Sequence, residues 1–205
     1  MPKIEERGMT SLPKTRDYLT SDEVDKLLEA GGRGRNAKRN CCLILLMFRH
    51  GLRMGEVLSL QLSSLDLEGK TIHLKRLKNG ISGAHPLLPD EMAVIKAWVK
   101  EREIIVKKAL TDSGYLFCSP HGGKLSDAYF RVFFPKLGKE AGLSFHVHPH
   151  MLRHSCGYAL ANLGNDTRLI QSYLGHRTIQ QTVRYTDVNP MRFGTIWGRK
   201  TRWAA

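Results

Sequence analysis

Three observations predict a mainly α chain with one small antiparallel β-sheet. Apolar residues recur at helical spacing over most of the 205 residues. A single stretch, from about Thr71 to Pro89, changes to alternation around an Asn79-Gly80 turn. A hydrophobic content of 41% beside 25% charged residues suits a folded body rather than a disordered basic arm. A chain of this length can bury one good core, so one main domain over 19–197 is expected, with basic tails at 1–18 and 198–205.

The elements follow in order. Residues 1 to about 18 are polar, hold Pro2 and Pro13, and lack periodic apolar residues, which reads as a flexible tail. Thr20 followed by Glu23 is a capping box, and Val24, Leu27 and Leu28 give the helix behind it an apolar face until Gly31-Gly32. A second helix, about Asn36 to His50, is apolar on most sides and therefore central. Gly51 suits its C′ position, and a short helix through Glu56, Val57, Leu58 and Leu60 comes next. In the sheet, Ile72 and Leu74 alternate with His73 and Lys75, and Pro86-Leu87-Leu88 resumes an extended run. Helices return at about Asp90 to Ile105, at Ser126 to Ala141 around Pro135, and at Pro149 to Leu163, where Pro149 falls near N1. Shorter ones are expected over Asp166–Tyr173, Thr178–Tyr185 and Pro190–Trp197.

Charge points to the partner. Thirty-two Lys and Arg against nineteen Asp and Glu leave +13, an attractive field for a polyanion, and nucleic acid is the expected one. No basic amphipathic segment favours a membrane surface, and the longest apolar run, Cys41 to Phe48, is far short of the roughly 20 residues a span needs. Four cysteines without a C-x-x-C pair read as buried thiols in a reducing compartment, so a cytoplasmic location is expected.

The candidate chemistry lies in six residues: Arg53, Lys78, His150, Arg153, His176 and Tyr185. Their settings are Gly51-Leu52-Arg53-Met54-Gly55-Glu56, His148-Pro149-His150-Met151-Leu152-Arg153-His154, Leu174-Gly175-His176-Arg177 and Val183-Arg184-Tyr185-Thr186. Displacement at a phosphodiester gathers negative charge on the nonbridging oxygens, and two arginines, Arg53 and Arg153, can clamp it without a metal. Lys78, at the turn of the sheet, is the candidate general acid for the leaving oxygen, preferred over Lys75. His150 lies one helical turn before Arg153, and His176 follows a glycine turn, so both can donate to the same phosphate. Tyr185 is the candidate nucleophile, whose phenol attacks only if nearby positive charge favours the phenolate or a base accepts its proton. Each residue taken singly reads as ordinary surface or half-buried chemistry; the ordered set carries the assignment. The rival is metal binding by His146, His148, His150 and His154, against which stand the missing H-E-x-x-H glutamate and the adjacent Arg153. No metal and no cofactor are expected.

With these residues in place, the chain resembles the tyrosine recombinase, or phage integrase, family from about Tyr18 to Trp197. The resemblance implies the tyrosine recombinase catalytic-domain fold, with Arg53 as the first catalytic arginine and Glu56 as its acidic companion. It likewise makes Lys78 the hairpin lysine, His150 and Arg153 the H-x-x-R box, His176 the L-G-H histidine and Tyr185 the nucleophile. Lys75, Arg76 and Arg177, cationic neighbours of that set, are expected to contact DNA. Only a short tail precedes the catalytic part, a shape similar to the minimal invertases that flip a promoter segment to switch fimbriae. That likeness implies inversion between inverted repeats in double-stranded DNA through a 3′-phosphotyrosyl intermediate. It further implies a homotetramer on DNA and DNA-bending accessory proteins. Alternatives on the same site chemistry are integration or excision of a mobile element, a non-cleaving DNA-binding regulator, and a relaxing type IB topoisomerase. The stripe Met191, Phe193, Ile196 and Trp197 could dock on a neighbouring subunit or on its own core.

Overall fold

The computed structural model describes residues 16–77 and 80–186. Eight helices and a three-stranded sheet occupy these residues: α1 (Ser21–Gly31), α2 (Ala37–Arg49), α3 (Met54–Leu58), β1 (Leu65–Asp66), β2 (Thr71–Leu74), β3 (Gly83–Pro86), α4 (Pro89–Ala109), α5 (Asp127–Glu140), α6 (Pro149–Asn162), α7 (Thr167–Leu174) and α8 (Gln180–Thr186). The expected helix over Pro190–Trp197, with its apolar stripe, and the tails outside 16–186 lie beyond the described residues.

Helix α2 is the axis of the fold because its sequence is apolar on most sides. Leu43, Ile44, Leu46 and Met47 are fully buried, and α1, α4 and α6 all pack around the helix. Helix α1 starts at the expected box: Thr20 Oγ1 accepts from Glu23 N at 3.3 Å, while Glu23 Oε2 accepts from Thr20 N at 2.8 Å. The second layer hangs on α4, where Ile95 and Trp98 face inward. The Trp98 indole stacks near Phe117 and donates to Leu116 O at 2.9 Å, which satisfies the only polar atom of the side chain. Helix α5 continues through Pro135 instead of stopping there. Buried Phe130, Phe134 and Leu137 hold its inner face on the core, which offsets the donor that proline lacks.

The sheet is antiparallel in the order β1-β2-β3, with Ile72 opposite Leu65 on one side and His85 on the other. Strand β1 has no counterpart in the sequence reading, since two residues are too short to show a period. Strand β3 ends at Pro86, earlier than expected, because Leu87 and Leu88 lead directly into α4 with Pro89 at its start. Helix α3 likewise stops at Leu58, where the Ser59 hydroxyl donates to Gly55 O and Glu56 O, and Leu60 is buried beyond it.

The expected tail boundary at residue 18 shifts. Arg16 pairs with Glu23, Asp17 with Arg184, and Leu19 N donates to Ser155 Oγ at 2.7 Å. Residues 16–19 are therefore docked on α1, α6 and α8. A separate small cluster, Cys156, Ala161, Ile170, Leu174 and Tyr185, joins α6, α7 and α8. All four cysteines are free thiols, and burial pushes Cys156 up to about 12, so it stays protonated.

Replacing Trp98 with alanine removes the largest fully buried side chain and its hydrogen bond. A loss of about 3–5 kcal/mol is expected, read as a lowered urea midpoint with an unchanged slope.

Candidate active site

The junction of α2 and α3 sets the first half of the site. Arg53 is the N-cap of α3, in extended backbone, and Glu56 occupies the third helical position. Glu56 Oε2 accepts from Arg53 N at 3.0 Å, and Oε1 accepts from Arg53 Nη1 at 2.7 Å, so the guanidinium is aimed by the turn that carries it. The same carboxylate accepts from Arg76 Nη1 at 3.0 Å and Leu77 N at 3.1 Å, and Arg153 Nη1 lies 4.0 Å away. Burial alone would raise the Glu56 carboxyl. The Arg53 backbone bond, the Arg76 charge and the remaining donors outweigh it and hold the group below the usual carboxylate range.

Arg153 comes from the second turn of α6 and is only 1% exposed. Its Nη1 donates to Gly51 O and its Nη2 to Leu174 O at 2.8 Å. Arg76 does the same with His50 O at 2.9 Å and Tyr173 O at 2.8 Å. These four carbonyls close α2 and α7, where helix ends leave acceptors unpaired and the dipole is negative. Burial, then the charges of Arg53 and Arg76, lower Arg153 to about 10, which leaves it cationic at neutral pH.

The Arg76 expectation is thereby corrected. It is 6% exposed, and its donors point inward to Glu56 and the two helix ends, so it is a structural arginine and not a surface contact for DNA. The alternation of the strand foretold this: Ile72, Leu74 and Arg76 share the inward side while Lys75 is exposed. Arg177 is also exposed. Lys78 lies outside the described residues.

His150, on the first turn of α6, is exposed at the rim. Partial desolvation, then the charges of Arg153 and Arg53, hold it below the ordinary imidazole value. His176 follows Gly175, whose φ of +64° ends α7. A Cβ at Gly175 would lie 2.6 Å from Ile81 O, so glycine is required for the turn and the sheet to meet. The buried His176 ring is fixed by Nδ1 at 2.8 Å from Thr182 Oγ1. Burial, then the Arg153 and Arg53 charges, lower it to about 3.

Tyr185, on α8, is 5% exposed. Its ring lies nearly parallel to that of His176, with centroids 6.2 Å apart. It packs flat on α6 at Gly157, where a Cβ would come within 2.7 Å of the ring. Burial raises the phenol to about 12, against the pull of Arg153 and Arg184. The hydroxyl is 2.8 Å from His154 Nδ1, a contact that the sequence reading missed by considering His154 only as a metal ligand. No cluster of three or more His, Cys, Asp or Glu side chains suited to a metal occurs among the described residues. No helix among them is long and apolar enough to cross a membrane.

The structure thus gathers Arg53, Glu56, His150, Arg153, His176 and Tyr185 at one end of α2, with three guanidinium groups, counting Arg76, around one carboxylate. Such a place carries an excess of positive charge. Residues 17–192 match the model of the phage integrase family, and the chain belongs to that family, with the catalytic-domain fold of the tyrosine recombinases. It is similar to the type 1 fimbriae regulatory protein FimB of Escherichia coli K12, at 48% identity over 91% of this chain and 92% of that protein. FimE of the same strain is 46% identical over 90% of this chain and 92% of its own length. Among solved structures, XerA recombinase superposes with a TM-score of 0.76 at 26% identity, covering 91% of this chain and 65% of that one. XerH recombinase, bound to its difH substrate before cleavage, gives 0.73 at 28% identity over 91% of this chain and 56% of that one. The chain therefore spans about two thirds or less of these solved recombinases.

Two outcomes test this geometry. Glu56→Gln leaves the buried arginines short of their counter-ion, and a loss of about 3–5 kcal/mol is expected in chemical denaturation. Stability should also fall as pH drops below about 6.5. His176 and His85 are each held at about 3, chiefly by burial. Between those values and the unfolded one the unfolded chain binds the protons and the native state does not. Each histidine then contributes a slope of about 1.4 kcal/mol per pH unit, to be read from midpoints at pH 4.5 to 7, and His176→Asn should remove its share.

Proposed function

We propose that this tyrosine recombinase inverts a promoter-bearing DNA segment between inverted repeats and so controls fimbrial phase, with Tyr185 as nucleophile. The observation that carries the chemistry is the gathering of Arg53, His150, Arg153, His176 and Tyr185 at one cationic site. The similarity to two fimbriae regulatory proteins over nine tenths of the chain supports the biological setting.

In this reading the Tyr185 oxygen attacks the scissile phosphorus, the bond to the 5′ oxygen breaks, and a 3′-phosphotyrosyl ester stores the energy of the cleaved linkage. Arg53 and Arg153 are the clamp. Arg153, still cationic at neutral pH, is fixed in advance by two backbone carbonyls, so little reorganisation is needed as charge builds on the phosphate. His150 at the rim and His176 beneath it donate to the same oxygens. Lys78 supplies the proton that the departing 5′ oxygen needs. Attack by the freed 5′ hydroxyl of the partner strand reverses the steps, so neither ATP nor a metal enters the balance. Exposed Lys75 and Arg177 hold flanking phosphates.

Strand exchange between two sites calls for four protomers, two on each site, acting in two rounds through a Holliday junction. DNA-bending proteins would bring the sites together, and the work is done in the cytoplasm, on the nucleoid. The excess of +13 makes binding strongly salt-dependent.

A nicked suicide duplex carrying the inverted repeat should trap a covalent adduct with the native chain and with Tyr173→Phe, and none with Tyr185→Phe. An adduct with Tyr185→Phe overturns the assignment. Recovery of inverted plasmid segments, as opposed to excised circles, tests the inversion.

A further inference from the structure

The Tyr185 hydroxyl has a partner that the mechanism above leaves unused. His154, one residue after Arg153 and one turn on from His150, is 7% exposed and places Nδ1 2.8 Å from Tyr185 Oη. On the other side of its ring, Nε2 lies 3.8 Å from Asp17 Oδ2. Asp17 in turn pairs with Arg184, the residue before Tyr185. We propose that His154 is a further catalytic residue, the acceptor of the Tyr185 hydroxyl proton during attack, and that Asp17 is a positioning residue that steadies the imidazole and its charged form. The inference rests on Tyr185 being the nucleophile.

A phenol buried to this degree keeps its proton at neutral pH, so attack requires a base within hydrogen-bond reach. His154 meets that geometric condition; His150 stands one ring further out, its centroid 4.5 Å from that of His154. The balance is simple. The proton passes from Tyr185 Oη to His154 Nδ1 as the oxygen–phosphorus bond forms and the bond to the 5′ oxygen breaks. That oxygen leaves with a proton from the general acid, and rejoining retraces both transfers.

Six groups face His154. From α6 come His150 and Arg153, from the turn after α7 His176, from α8 Arg184 and Tyr185, and from the segment before α1 Asp17. Burial, followed by the effect of His150 and Arg184, holds His154 well below the ordinary imidazole value, so at neutral pH it is unprotonated and able to accept, while Asp17 acts in the opposite sense. Asp17 divides its charge between Arg184 and His154. Arg184 has a side chain 44% exposed; when it turns to a DNA phosphate, Asp17 is left to His154. The base is then strengthened when substrate is present.

The test is single-turnover adduct formation by the full chain across pH, on two nicked duplexes. One is ordinary and one has sulfur in place of the 5′ bridging oxygen, which leaves without a general acid. H154Q should cleave both at least about 100-fold more slowly, with DNA affinity within about twofold in the same buffer. Lys78→Ala should be slow only on the oxygen substrate. D17N, which leaves the packing of His154 intact, should cleave about 10-fold more slowly, in the range of a weakened base, with the acid limb of its pH–rate profile moved to lower pH. Native rates for H154Q, or recovery of H154Q by sulfur, overturn the proposal. If H154Q fails to fold or to bind DNA, D17N decides, and an unchanged D17N profile overturns it. An adduct with Tyr185→Phe would instead bring down the nucleophile assignment itself, whereas loss of adduct in that variant beside full activity of H154Q removes only the base.

Discussion

Everything at this site depends on one buried carboxylate. Glu56 is 3% exposed and accepts four hydrogen bonds, from the backbone and side chain of Arg53, from Arg76 and from Leu77 N. Two cations, Arg76 and Arg153, are buried with it, and a third stands at the surface. An isolated charge in such a place would cost several kcal/mol. Here the cost is met by geometry: the guanidinium forks that exceed the carboxylate's capacity turn to the free carbonyls at the ends of α2 and α7, where the helix dipoles are negative. The three guanidinium groups still outnumber the one carboxylate by two.

The same interactions hold the fold together. Arg76 ties the sheet to α2, α3 and α7, and Arg153 ties α6 to the ends of α2 and α7. The arginines that tie the elements together are therefore the same ones gathered at the candidate site. The histidines repeat the pattern: burial keeps His176 neutral, which makes it a hydrogen-bond donor whose charge does not compete with the arginines. Acid weakens the fold through these same groups, since they must gain protons to unfold.

Much of this was legible in the residues. The Thr20–Glu23 box and the all-round apolar character of α2 are local signals, and the structure places both helices within a residue or two of their expected ends. Strand β1 was not legible, because its two residues pair only with partners seven and five places on. The convergence of Arg53, His150, Arg153, His176 and Tyr185 followed from motif order. The fate of Arg76 did not, although its parity with Ile72 and Leu74 pointed inward; charge suggested the surface, and a carboxylate twenty residues away decided otherwise. His154 and Asp17 were hidden for a similar reason. Their meeting beside Tyr185 joins segments 137 residues apart, and no local pattern encodes that distance.

The turn at Gly175 has a mechanical consequence. Leu77 N is held by Glu56 on α3, whereas Ile81 N donates to Gly175 O just past α7. Helix α3 and the turn after α7 are thus each tied by one backbone N–H to the chain that follows β2. A tilt of α7 therefore pulls on the Ile81 anchor and not on the Leu77 anchor.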